Sequence, residues 1–275
     1  MPGEEPPAAA CEDAWFVLLA PPGRIPPARV ADVGRLLAEA RGMPFADGTR
    51  IANRCQGILI GEVSEAEAQR IVTGLGELSI PAARRAVSEL LPLPAAVDCR
   101  RMAVDRERFM PELSPGAEAG EWPWEDVAVF CVGEVETETV TRKAAPGTPG
   151  GVRLSYGLTA LTGIPVVVPG AQGSQQRQGV TTSALLMDIV ALRPTMRFRV
   201  NALRFDYTLL GPRKSLSHKP NFVALSRLLR SLARSAASNY PSSDAGAGGE
   251  AWEKFDEMPQ YEARVRWLLQ VSDAR

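Results

Sequence analysis

The stretch SEAEAQRIVTGLGELSIPAARRAVSEL, residues 64–90, sets a helix and then a strand in succession. Ser64 with Glu67 three residues on is a capping box, in which each side chain satisfies a backbone N–H that the first helical turn leaves unpaired, so a helix starts there. After that helix, PAARRAVSEL (81–90) reads as the closing strand. Working back towards the N-terminus, QGILIGEV (56–63) is a strand and PFADGTRIANRC (44–55) a second short helix. From Ala28 to Ala40 the residues Val30, Val33, Leu36, Leu37 and Ala40 fall on one helical face, and Gly42 closes that helix. AWFVLLAP (14–21), an apolar run ended by Pro-Pro-Gly, fits a buried strand.

The resulting order, strand, helix, helix, strand, helix, strand, resembles the C-terminal domain of the bacterial ribosomal stalk protein and the related ClpS adaptor fold. FVLLAPPGRI (16–25), VADVGRLLAEARGMPF (30–45) and above all SEAEAQRIVTGLGELSIPA (64–82) carry the resemblance. A ferredoxin-like arrangement would give a similar string. The resemblance implies protein–protein contact through a helix pair and a strand edge. The acidic set needed to hold a free α-amino group is not recognisable, so an N-degron adaptor role does not carry over.

A second region opens with EWPWEDVAVFCVGEVETETVTRK (121–143), where the apolar run Val127–Val132 passes into alternation that marks a half-buried strand. TTSALLMDIVAL (181–192) is another apolar run, and MRFRVNALRFDYTLL (196–210) reads as two strands whose phase slips near Asn201–Ala202. In the first, Arg197 and Arg199 face away from Phe198 and Val200; in the second, Phe205, Tyr207 and Leu209 share a face. From Asn221 an amphipathic helix sets Phe222, Leu225, Leu228, Leu229 and Leu232 on one face and Arg227, Arg230 and Arg234 on another. Antiparallel strands followed by one packing helix is similar to the pleckstrin-homology-like fold, which implies a scaffold for peptides, lipids or partner domains. The tail 252–271 places Val265, Trp267, Leu268 and Leu269 in a short helix, for which docking on the parent core comes first and a partner-binding helix is the alternative.

The expected class is therefore α+β, in two small domains: a ClpS-like domain at 14–92, and an antiparallel sheet capped by a C-terminal helix at 121–238. Composition supplies the rest: a disordered acidic, Pro/Ala-rich tail at 1–13, a linker at 93–120, a flexible insertion at 144–179, and a linker with the amphipathic tail helix at 239–275. In 275 residues no apolar stretch approaches the roughly 20 residues that cross a bilayer, and the N-terminus does not read as a signal peptide. The four cysteines, Cys11, Cys55, Cys99 and Cys131, show neither zinc-ligand nor disulfide-framework spacing, which places the chain in a reducing cytoplasm.

Between Arg193 and Arg234 there are ten Lys or Arg and one acid, Asp206, although the formal net charge of the chain is -1. Such segregation can make a positive patch. The candidate contacts for an anionic partner are Arg213, Lys214, Lys219, Arg227, Arg230 and Arg234, with Phe205 and Tyr207 as possible stacking groups for nucleic acid. Solvated surface explains the same residues. His218 as a general base, Cys131 as a nucleophile and Glu134, Glu136 and Glu138 as cation ligands each have a plainer reading: a surface loop, an inert core thiol and a charged edge strand. Neither glycine-rich stretch, 147–157 nor 170–179, has the spacing of a phosphate loop. The expectation is no catalytic residue, no metal and no cofactor. A non-enzymatic protein–protein interaction or scaffold module comes first, and a polyanion binder, for nucleic acid or an anionic membrane surface, is the alternative.

Overall fold

The structure, a computed structural model, describes residues 14–113, 120–142, 177–241 and 252–272. The chain divides into two compact units, Met1–Val135 with Ala184–Arg275, and Glu136–Ser183. Of the second, the described residues are 136–142 and 177–183, both in strand conformation. The tail expected at 1–13, and the insertion expected at 144–179 apart from Arg177–Gly179, lie outside the described residues.

The N-terminal elements of the first unit follow the expected order. They are β1 (Trp15–Leu19), α1 (Val30–Arg41), α2 (Phe45–Arg54), β2 (Ile58–Val63), α3 (Glu65–Glu77) and β3 (Ala82–Ala86). The sheet order is β2-β1-β3, with both pairs antiparallel. Ser64 caps α3 in a complete capping box: its Oγ accepts from the Glu67 backbone N–H, and the Glu67 carboxylate accepts from the Ser64 N–H at 2.9 Å. Gly42, at φ 62, supplies the left-handed turn that ends α1. Val17, Leu19, Val33, Leu37, Ile71 and Leu75 close the core between the helices and one face of the sheet.

The larger sheet differs from expectation. Its strands are β4 (Ala96–Val104), β5 (Arg108–Leu113), β6 (Trp122–Pro123), β7 (Val127–Arg142), β8 (Arg177–Leu192), β9 (Thr195–Asn201), β10 (Ala237–Ser238) and β11 (Glu253–Phe255). These eight strands are ordered β10-β7-β8-β9-β4-β5-β6, with β11 also paired to β7. The sheet is mixed rather than purely antiparallel, because β4 runs parallel to β9 and both β10 and β11 run parallel to β7. Residues 96–113, expected in a linker, form β4 and β5: a register shift between Cys99 and Arg101 puts the two buried residues of β4, Cys99 and Met102, three apart, so the alternation that signals a strand is erased. The second strand expected in 196–210 is instead a 3-10 helix, Tyr207–Arg213, capped by Asp206, whose Oδ1 accepts from the Thr208 N–H at 3.0 Å.

Two helices cover this sheet. Helix α4 (His218–Leu232) lays Phe222, Leu225 and Leu229 on one face, against Phe130, Met187, Phe198 and Val200. Helix α5 (Met258–Ser272) takes the other, where Tyr261, Val265, Leu268 and Leu269 meet Cys131, Leu186 and Val190. The same core contains Leu18 of β1, so α5 also packs on the small sheet. Trp267 Nε1 donates to the Leu19 carbonyl at 2.8 Å, and the Gln270 amide bonds the Leu91 backbone on both sides, at 3.0 and 2.9 Å. The docking expected of the tail helix is thus onto both sheets. A helix buried around most of its circumference needs apolar residues on more than one face, and this one has them.

Candidate functional site

The basic segment separates into three settings. Arg197 is buried and Arg199 largely so, at 3% and 14% side-chain exposure, which corrects their reading as a solvated strand face: α5 covers that face, and Asp188 stands opposite Arg199 on β8. Arg197 Nε donates to Asp188 Oδ2 at 2.7 Å, and Arg199 donates from Nε and a terminal nitrogen to both carboxylate oxygens at 2.9 Å. Glu262 of α5 accepts from both arginines, at 3.5 and 3.3 Å. Two guanidinium and two carboxylate charges balance. Burial works to lower the Arg199 guanidinium, and the hydrogen bonds and charge of Asp188 outweigh it, so its net direction is upward. With both Asp188 oxygens occupied by guanidinium groups and its side chain fully enclosed, the cluster ties α5 to β8 and β9.

The second setting is the junction of the 3-10 helix with α4. Arg213 ends the 3-10 helix, Lys214 follows it, and Lys219 is the second residue of α4 rather than a loop residue; all three are exposed. Lys214 lies 3.8 Å from Asp206, and Lys219 sits over the Trp252 ring at 5.6 Å. The third is the far end of α4. Arg227 is exposed, Arg230 donates to the Ala233 and Arg234 carbonyls, and Arg234 Nε donates to the Ser231 carbonyl at 3.0 Å, so the last two close the helix C-terminus. From His218 to Arg230 the helix advances roughly 18 Å. The junction cations and the C-terminal cations therefore occupy opposite ends of α4.

The other candidates resolve individually. His218 is the first residue of α4 and is exposed. Burial pushes the Cys55 thiol up to about 11, the Cys99 thiol up to about 12, and the Cys131 thiol well above its ordinary value. Glu134 accepts from Trp252 Nε1 at 3.4 Å and lies 4.0 Å from Lys254; Glu136 is exposed, and the Glu138 side chain is outside the described residues. Among the described residues no group of three or more His, Cys, Asp or Glu could hold a metal ion. Phe205 and Tyr207, the possible stacking groups, are 5% and 2% exposed and belong to the core under α4.

Four exposed large apolar side chains among the described residues escaped the sequence reading: Phe45, Val87, Leu203 and Leu216. At the start of α2, Phe45 is 50% exposed. In the basic junction, Leu216 stands at 106% of its reference area. Apolar patterning cannot flag these two, because a single apolar residue beside a turn reads as a core anchor. A comparison with known proteins found no family model, curated relative or solved structure that matches this chain. No helix among the described residues is long and apolar enough to cross a membrane.

Proposed function

We propose that the chain is a non-enzymatic protein–protein interaction or scaffold module whose partner-facing surface is the α1–α2 pair. Phe45 carries this reading. It is a large aromatic side chain left half in water at the first position of α2, a helix that also exposes Ala46, Arg50, Asn53 and Arg54. Exposed aromatic and arginine side chains are the groups that dominate interface energies.

The packing beneath explains why this face is available. A Cβ on Gly48 would lie 2.2 Å from the Gly34 carbonyl oxygen, and one on Gly34 would lie 2.5 Å from Thr49 Oγ1. The two helices touch backbone to backbone: α2 buries Gly48 and Ala52 there, packs Ile51 partly against the core, and leaves Phe45, Arg50 and Arg54 exposed. The three free, buried thiols Cys55, Cys99 and Cys131 suit a reducing, cytoplasmic setting, which belongs to the same proposal.

The test is capture of host proteins on immobilised full-length chain, compared with a Phe45→Glu variant of unchanged thermal midpoint. A protein retained by the wild type and lost by the variant supports the module. Retention unaffected by the substitution, or no specific retention by the wild type, overturns it.

A further inference from the structure

The junction of the 3-10 helix with α4, Gly211–Pro220, leaves the Leu216 side chain wholly in water. Single exposed apolar residues are common and need no explanation when the backbone under them is loose. Here the backbone is fastened. Asn221, 3% exposed, accepts from the Ser215 N–H at 2.6 Å and donates to the Ser215 carbonyl at 2.9 Å. Ser215 Oγ in turn accepts from the Ser217 N–H at 3.1 Å, and the Lys214 N–H reaches the Gly211 carbonyl at 3.1 Å. Leu216 is therefore presented rather than stray.

Its charge setting is predominantly positive. Arg213, Lys214 and Lys219 lie within three residues of Leu216, no Asp or Glu occurs from Tyr207 to Ser243, and Asp206 lies 3.8 Å from Lys214. An aliphatic tip with cations close by in the chain matches a surface that is anionic outside and hydrocarbon just beneath, where each basic residue and each buried methylene adds to binding. Single-stranded nucleic acid would instead use aromatic platforms, and Phe205 and Tyr207 are enclosed in the core.

We infer that this junction docks the protein on anionic bilayers, with Leu216 entering the acyl boundary and Arg213, Lys214 and Lys219 contacting the headgroups. It is independent of the α1–α2 surface, so either assignment can fail alone. The test is sedimentation of the full chain with vesicles rich in phosphatidylserine and with vesicles of phosphatidylcholine alone, at low and high salt, with an RNA oligomer as a parallel ligand.

Binding is expected only to the anionic vesicles, weakening as salt rises. Leu216→Asp should lower the affinity about tenfold or more, and Arg213→Ala with Lys214→Ala about thirtyfold. Both variants alter exposed side chains and should keep the wild-type thermal midpoint. Absence of sedimentation with anionic vesicles at low salt, or Leu216→Asp binding as well as wild type, overturns the assignment. RNA binding that is lost in the double variant but untouched by Leu216→Asp overturns it in favour of a nucleic-acid site.

Discussion

Asp188 shows most sharply what a single residue decides here. Removing its charge leaves Arg197 and Arg199 enclosed with only Glu262 as counter-charge, so Asp188→Ala is expected to cost about 3–5 kcal/mol in urea unfolding, because an uncompensated buried charge is left behind. The thiols give a prediction of different sign. The folded-state values of Cys55 and Cys99, about 11 and about 12, lie above the ordinary 9.0, so the folded state holds these protons more tightly than the unfolded chain does. The stability they supply is complete below pH 9 and is lost as pH rises through 11 to 12; a urea midpoint falling over that window, and falling less in a Cys55→Ala, Cys99→Ala chain, checks it. At this scale the sequence was legible for Ser64 and Glu67, which bond each other three positions apart, and for the core valines and leucines, whose spacing repeats within one element. It misplaced Arg197 and Arg199 because strand alternation reports two faces and not what covers the second; the covering residue, Glu262, is 63 positions from Arg199.

Among the elements, α5 carries the tightest packing argument. Gly57 has φ +99, and a Cβ there would lie 2.2 Å from the Trp267 ring. Gly57→Ala is therefore expected to destabilise the fold through both backbone strain and overlap, and Trp267→Ala to cost about 3–5 kcal/mol through the lost ring. Combined, the two substitutions should cost less than the sum of their separate effects, since the overlap vanishes with the ring while the positive φ remains; strict additivity in a double-mutant cycle would show that the ring and Gly57 do not touch. Elements with a local signature, namely α1, α2, β2 and α3, were readable from caps and periodicity to within a few residues. Strands β4 and β5 were not, because a bulge spaces Cys99 and Met102 by three and charged Asp98, Arg100 and Arg101 fill the positions between or beside them. The 3-10 turn was missed for the converse reason: Phe205 and Tyr207 alternate as a strand would, while the signal against a strand was Asp206 as a cap.

For the molecule as a whole, α5 joins two sheets that the sequence presents as separate domains. A chain ending before residue 252 would expose Leu18 on one sheet and Cys131, Leu186 and Val190 on the other, so it is expected to bind a hydrophobic dye and lose a sharp unfolding transition, while the full chain unfolds with coincident fluorescence and circular-dichroism curves. Well-separated curves in the full chain would show that α5 does not couple the sheets. The candidate site was only partly legible at this scale: the basic segment was visible as composition, but its division between a buried cluster, a junction and a helix end depends on the length of α4 and the docking of α5. Neither Phe45 nor Leu216 had a pattern to announce it, since exposure is a property of the assembled surface. The interaction reading turns on Phe45, and it is tested by placing a photo-cross-linking side chain at position 45 of the full chain in the native host, with exposed position 87 as the control. We expect a discrete protein adduct from position 45 that position 87 does not give; no adduct from 45, or the same adducts from both positions, would contradict the assignment of α1–α2 as a partner surface.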